Sequence, residues 1–137
     1  MYLLDTNVVS ELRKAKMCNP KVLAWSKQLS PSTLFLSVIS ILELETGILL
    51  IERRDEIQGA RLRSWFETQV LPTFDGRILP VDTPIARRSA AMHVPAPRSD
   101  RDALIAATAL VHKMTVVTRN VKDFEPTGAA IINPWQA

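Results

Sequence analysis

The chain has 137 residues, 47% hydrophobic and 23% charged, with 17 Lys and Arg against 14 Asp and Glu for a formal charge of +3. That profile fits one globular domain with a real core and excludes a disordered or fibrous chain, and the mild positive excess permits an anionic partner such as RNA without demanding one. Cys18 is the only cysteine, which excludes an intramolecular disulfide, and with His93 and His112 it lacks the spacing of a zinc site.

Residues 2–5 (YLLD) read as a short buried strand, and Thr6 to Lys14 fit a helix with Val8, Val9 and Leu12 inward. A second helix is expected from Pro20 to Leu29, with Pro20 in the first turn and Val22, Leu23 and Trp25 inward. The stretch TLFLSV (33–38) is strand-like and leads into a long apolar helix over 40–53. Residues 55–71 make an amphipathic helix on Ile57, Leu62, Trp65, Phe66 and Val70. RILPV (77–81) is a short strand, Pro84 opens a short helix, and VPAPR (94–98) is a stiff loop. A small-residue helix over 102–113, a strand over 115–118 and a last strand over 130–133 complete the pattern. Alternating strands and helices predict an α/β fold, an α/β/α three-layer domain spanning 1–137 with a mostly parallel central sheet. No apolar stretch approaches the roughly 20 residues of a membrane span and the N-terminus does not read as a signal peptide, so the cytoplasm is the expected location.

Three carboxylates stand at similar points: Asp5 after the first strand, Glu43 three residues after Ser40, and Asp102 three residues after Ser99. Each has a structural explanation. Asp5 suits a helix N-cap, while Ser40-x-x-Glu43 and Ser99-x-x-Asp102 suit capping boxes. The alternative is a shared site at the carboxyl edge of the sheet, where ligands bind in such folds. Three clustered carboxylates would repel and raise one another's pKa, a conflict that a hard cation such as Mg²⁺ or Mn²⁺ removes. The chemistry such a centre supports is phosphodiester hydrolysis.

Four segments, LLDTNVVSEL (3–12), LSVISILELETGI (36–48), DALIAATALVHKMTVVTRNVKDF (102–124) and INPW (132–135), together resemble PIN domains. The likeness is to the VapC/FitB-like toxins of bacterial type II toxin–antitoxin pairs. It implies a Mg²⁺- or Mn²⁺-dependent endoribonuclease in which Asp5, Glu43 and Asp102 are the principal acids. It also implies that Thr6, Asn7, Ser40 and Thr118 are supporting polar neighbours, and that Asp5 caps its helix with one oxygen and faces metal with the other. Asn120 stands where many relatives carry a fourth acid, and Asp123, a helical turn later, is either the source of that charge as a further metal ligand or a solvent-facing residue. Asp100 rivals Asp102, but the register of the following ALIAATA favours Asp102. Among Arg87, Arg88, Arg98, Arg101 and Arg119, the better candidates for RNA contact are Arg98 and Arg119, which flank the inferred site; a solvated surface is the alternative for each. The resemblance further implies homodimers or toxin–antitoxin hetero-oligomers, an antitoxin whose C-terminal segment lies over the active site, and DNA contact only through that antitoxin. Trp25, Trp65 and Trp135 are either anchors for such contacts or core residues. The competing functional class is a non-catalytic partner of a DNA-binding antitoxin acting in transcriptional regulation, a reading that the missing fourth acid favours.

Overall fold

Five short strands, β1 (Tyr2–Leu4), β2 (Leu34–Ser37), β3 (Ile78–Leu79), β4 (Thr115–Val117) and β5 (Ile131–Ile132), form one parallel sheet in the order β3-β2-β1-β4-β5. The structure is a computed structural model and describes residues 1–136. Its helices are α1 (Thr6–Leu12), α2 (Pro20–Lys27), α3 (Val38–Arg54), α4 (Glu56–Trp65), α5 (Leu71–Thr73), α6 (Thr83–Met92), α7 (Asp100–His112) and α8 (Val121–Phe124). The alternation expected from the sequence is therefore present, with most elements a few residues shorter at their ends.

A parallel sheet is covered on both faces, so its strands read as unbroken apolar runs. Successive residues then serve opposite layers. Leu4, Leu36 and Val117 pack with Val8 and Val9 of α1, Leu44 and Ile48 of α3, and Leu62 of α4. Leu3 and Val116 pack on the other side with Ile105, Ala106 and Ala109 of α7 and Phe124 of α8. The result is the three-layer α/β/α arrangement. The alanines explain the composition of α7: Ala103, Ala106, Ala107 and Ala109 are fully buried, and small side chains let the helix lie close to the strands.

Three local details depart from the sequence reading. The long helix starts at Val38, not at Ser40, because the chain passes from β2 into α3 with no loop between them. Ser37 is its cap, with Oγ accepting from the Ile39 N–H at 3.0 Å, so Ser40 is a fully buried residue of the first turn and makes no capping box. The helix expected over 55–71 is α4, capped by the Asp55 carboxylate, then a π-helical turn over Phe66–Val70, then α5. At Gly59 a Cβ would stand 2.7 Å from the Glu52 Cα and Cγ, so the missing side chain is what lets α4 close on α3. One turn on, Arg63 fastens the same two helices, meeting Glu45 at 2.5 Å and Glu52 at 3.0 Å.

β1 has β2 on one side and β4 on the other, and all three end at the same edge. Asp5, the start of α3 and Thr118 directly follow those ends. Strand order reverses about β1, so a crevice opens there, at the place where open parallel sheets bind ligands.

Candidate active site

A cavity of about 450 Å³ occupies this crevice, lined by Asp5, Thr6, Asn7, Ser10, Glu11, Lys14, Glu43, Asp102, Arg119, Asn120 and Trp135. The three acids singled out from the sequence therefore meet in one place, brought there by the starts of α1, α3 and α7.

Asp5 is only 5% exposed and is held at both oxygens. Oδ1 accepts from the Thr6 N–H at 2.8 Å, which is the expected cap. Oδ2 accepts from the Thr118 hydroxyl, also at 2.8 Å, so the second oxygen is anchored as well as turned towards the site. Thr118 is fully buried and has a complete set of partners, since its oxygen also accepts from the Asn120 N–H at 2.9 Å and from Asn7 Nδ2 at 3.4 Å. That orientation of Asn7 leaves its Oδ1 buried with no hydrogen-bond partner. A buried carbonyl oxygen without a partner costs free energy, which a cation or a water would offset.

On the opposite side, the Thr6 hydroxyl lies 2.7 Å from Glu43 Oε1 and 3.0 Å from Ser40 Oγ. It has one proton. The charged acceptor at the shorter distance takes it, and the Ser40 hydroxyl then donates to the Thr6 oxygen. Glu43 is thus fixed by α1, and its Oε2 lies 3.8 Å from Arg101 Nη1. Ser99 caps α7, its Oγ accepting from the Asp102 N–H at 3.4 Å, so the Ser99-x-x-Asp102 expectation holds for the cap.

The electrostatics follow from burial and like charge. Burial pushes the Asp102 carboxyl up to about 6, with further lifts from Asp5, Asp123 and Glu43. Asp5 is also raised, by burial first, against the opposing hydrogen bonds from Thr118 and Thr6 and with added repulsion from Glu43 and Asp123. Among the described residues no three carboxylate, His or Cys side chains are gathered tightly enough to enclose a metal ion by themselves. An open, all-oxygen donor set still fits Mg²⁺ or Mn²⁺, which keep waters and take only one or two carboxylates from the protein. Two acids with raised pKa and the unpartnered Asn7 oxygen are what such an ion would relieve.

The remaining candidates separate. Asn120 lines the main cavity. Asp123 is exposed and lines an adjoining hollow with Asp102, Arg98 and Lys122, contributing charge to the acids from outside the main cavity. Arg98 lines that same hollow beside Asp102, its Nε donating to the Met92 carbonyl at 2.9 Å, and so flanks the main cavity without lining it. Arg119 does line the main cavity. Asp100 points away, its side chain 91% exposed beside His93, which leaves Asp102 as the acid of this helix start.

Four lining residues were not foreseen as part of the site: Ser10, Glu11, Lys14 and Trp135. Asn7, Ser10, Glu11 and Lys14 recur at helical spacing, so a polar stripe on the first helix was the signal that marks this wall. Glu11 is buried, accepts from Lys14 Nζ at 2.9 Å and from the Asn19 N–H at 2.8 Å, and these two bonds hold its carboxyl below the usual range.

The PIN domain profile matches residues 2–128. The chain is 41% identical over 143 aligned residues to VapC ribonuclease Y4jK of Sinorhizobium fredii, covering 99% of each. It is 37% identical to Toxin FitB of Neisseria gonorrhoeae, covering 98% of this chain and 99% of that protein. The crystal structure of FitAcB from Neisseria gonorrhoeae superimposes with a TM-score of 0.91 over 100% of both chains at 37% identity.

Proposed function

The chain belongs to the PIN domain family, and from that membership we propose that it is an endoribonuclease toxin that hydrolyses RNA phosphodiester bonds with Mg²⁺ or Mn²⁺ and is neutralised by a cognate antitoxin. The observation that carries this reading is the meeting of Asp5, Glu43 and Asp102, from three separate chain segments, in one cavity where Asp102 is pushed to about 6.

In this reading Asp5, Glu43 and Asp102 would hold the ion, in part through the waters it keeps, and Asp123 would add charge from the adjoining hollow. When bound, the ion supplies positive charge that lowers the pKa of water and stabilises the leaving oxygen. The chain's own residues do the positioning. Thr118 and the Thr6 N–H fix Asp5, the Thr6 hydroxyl and Ser40 fix Glu43, and Asn7 and Asn120 present amide groups that orient the attacking water. At neutral pH an Asp102 carboxyl near 6 is mostly ionised, so it is available both as a ligand and as an acceptor for that water's proton. Arg119 faces the cavity and Arg98 the adjoining hollow, where each would meet RNA phosphates.

An apolar groove supports an antitoxin partner. It is lined by Leu44, Ile48, Ile51, Leu62 and Trp65 and shares Thr6, Ser10 and Glu43 with the acidic cavity, so a segment lying in it would cover the acids. Leu42, Leu49, Leu50 and Ile57 are exposed on α3 and α4, which supports assembly as a homodimer or a toxin–antitoxin hetero-oligomer. No helix among the described residues is long and apolar enough to cross a membrane, and action on RNA fits the cytoplasm.

The test is cleavage of total cellular RNA by purified, antitoxin-free protein with Mg²⁺, Mn²⁺ or EDTA, beside Asp5→Asn and Asp102→Asn. Metal-dependent cleavage lost in both variants is the expected result. Equal cleavage by wild type and variants identifies a contaminant. No cleavage by the folded wild type favours the non-catalytic partner of a DNA-binding antitoxin.

A further inference from the structure

We infer that Lys14 and Arg119 form a phosphate clamp on the wall facing the acids, with Trp135 holding Arg119 in position, and that the clamp takes the phosphate next to the scissile one in single-stranded RNA. The inference rests on the nuclease reading of the same cavity and assigns its other half.

The cavity is larger than an ion and one phosphate need; about 450 Å³ lies in the range of roughly 300–1,000 Å³ that encloses whole small-molecule ligands. Its walls have opposite charge. Lys14 and Arg119 share that lining with Asp5, Glu43 and Asp102. Both lower the Glu11 carboxyl while neither acts on Asp5 or Asp102, so the cations gather about Glu11 and not about the acids. Among the described residues Arg119 is without an ion pair and Lys14 has one, with Glu11, whereas three other arginines are more fully engaged. Arg63 is engaged by Glu45 and Glu52, Arg98 by the Met92 carbonyl, and Arg101 lies beside Glu43. Among the described residues the Arg119 guanidinium has no hydrogen-bond or ion-pair partner. It lies over the Trp135 ring, 5.4 Å from its centroid, so it is held in place while its N–H groups stay open.

Lys14 is located differently. Its ammonium meets Glu11, and Glu11 is itself buried and tied to the Asn19 N–H. One of the three ammonium donors is occupied and two remain. Two cations against the one buried carboxylate leave this wall with a net positive charge. A polyanion approaching three carboxylates needs such a counterweight, and a guanidinium fixed on an indole also offers a plane on which an unpaired base stacks.

The test uses a fluorescent single-stranded oligoribonucleotide of about twelve nucleotides, bound with Mg²⁺ to the chain carrying Asp102→Asn, with affinity measured by anisotropy over a salt series. In that background the double variant Lys14→Ala, Arg119→Ala is expected to lower the slope of log affinity against log salt by about 0.7, the value for the one single-strand phosphate that the clamp holds, and each single variant by part of that. In the active chain Trp135→Leu should raise KM several-fold with kcat within about twofold, and Trp135→Phe should restore most of the loss. Unchanged slopes and KM beside metal-dependent wild-type cleavage overturn the clamp and leave the nuclease standing. Variants that weaken the antitoxin complex while leaving RNA binding intact overturn it in favour of an acidic protein segment. A wild type that neither binds nor cuts RNA overturns both readings.

Discussion

Thr118 donates a hydrogen bond of 2.8 Å to Asp5 across 113 positions of the chain. The pair joins the end of β4 to the start of α1, beside the bond from the Asp5 N–H to the Val117 carbonyl at 2.9 Å. Thr118→Val keeps the shape but leaves the Asp5 oxygen and the Asn120 N–H without their partner. The expected cost is about 1–3 kcal/mol by denaturant unfolding, together with loss of most RNA cleavage. Thr118→Ser should retain both, and a fully active, undiminished Thr118→Val would show that Asp5 needs no such anchor.

The raised Asp102 carboxyl sets a direction for pH. Its folded-state value of about 6 lies above the ordinary 3.8, so between those values the folded chain keeps a proton that the unfolded chain has lost. Metal-free protein is therefore expected to lose stability as pH rises from about 4 through about 6, with Asp5 acting in the same direction. Melting in EDTA should show a higher Tm for Asp102→Asn than for wild type at pH 7.5 and little difference near pH 4. Mg²⁺ should raise the wild-type Tm more at pH 7.5 than at pH 5, because ion and proton compete for the same oxygens. A wild-type Tm that climbs over this interval relative to Asp102→Asn would mean the carboxyl is not raised.

Gly59→Ala places a methyl group 2.7 Å from Glu52 Cα, a backbone atom that cannot step aside without moving α3. The usual gain of alanine over glycine within a helix, close to 1 kcal/mol, is expected to be outweighed by an overpacking cost of about 1–3 kcal/mol. Calorimetry that finds the variant more stable than wild type would show that the two helices are free to separate.

Ser37→Ala removes the buried cap of α3 and should cost about 0.5–2 kcal/mol by urea unfolding. Because Glu43 lies in the second turn of that helix, fraying at the cap should also lower cleavage, a loss that Ser37→Thr restores. Equal stability of Ser37→Ala and wild type would return the cap to a different residue.

The acids were legible because each follows a strand or opens a helix, and those points share one edge in a parallel sheet. The alternation of Leu3 and Leu4, serving opposite layers, was equally readable from the apolar runs. The capping alternative for Ser40 fails because TLFLSV continues through β-branched Val38 and hides a helix that starts with no intervening loop, which leaves Ser40 as the polar neighbour of Thr6. The nearness of Arg98 in sequence to Asp102 suffices to put it beside that acid, but the bond to the Met92 carbonyl that fixes its direction is announced by no local pattern. Lys14 continues the polar spacing of Asn7, Ser10 and Glu11 and was legible on that ground, whereas Trp135 comes from the far end of the described chain and only the tertiary fold brings it to the cavity.

The position of β1 between β2 and β4 has a consequence in time. A ribosome adding about 5–20 residues per second takes roughly 6 to 23 s to pass from Asp5 to Thr118. Through that interval the growing chain carries the first acid but not the strand that seats it, so the nuclease centre cannot be complete. Asp102 is made only shortly before β4, which means the last of the three acids and the anchor of the first arrive almost together. An unfinished chain is thereby harmless to the RNA around it, with no inhibitor required until synthesis is nearly done.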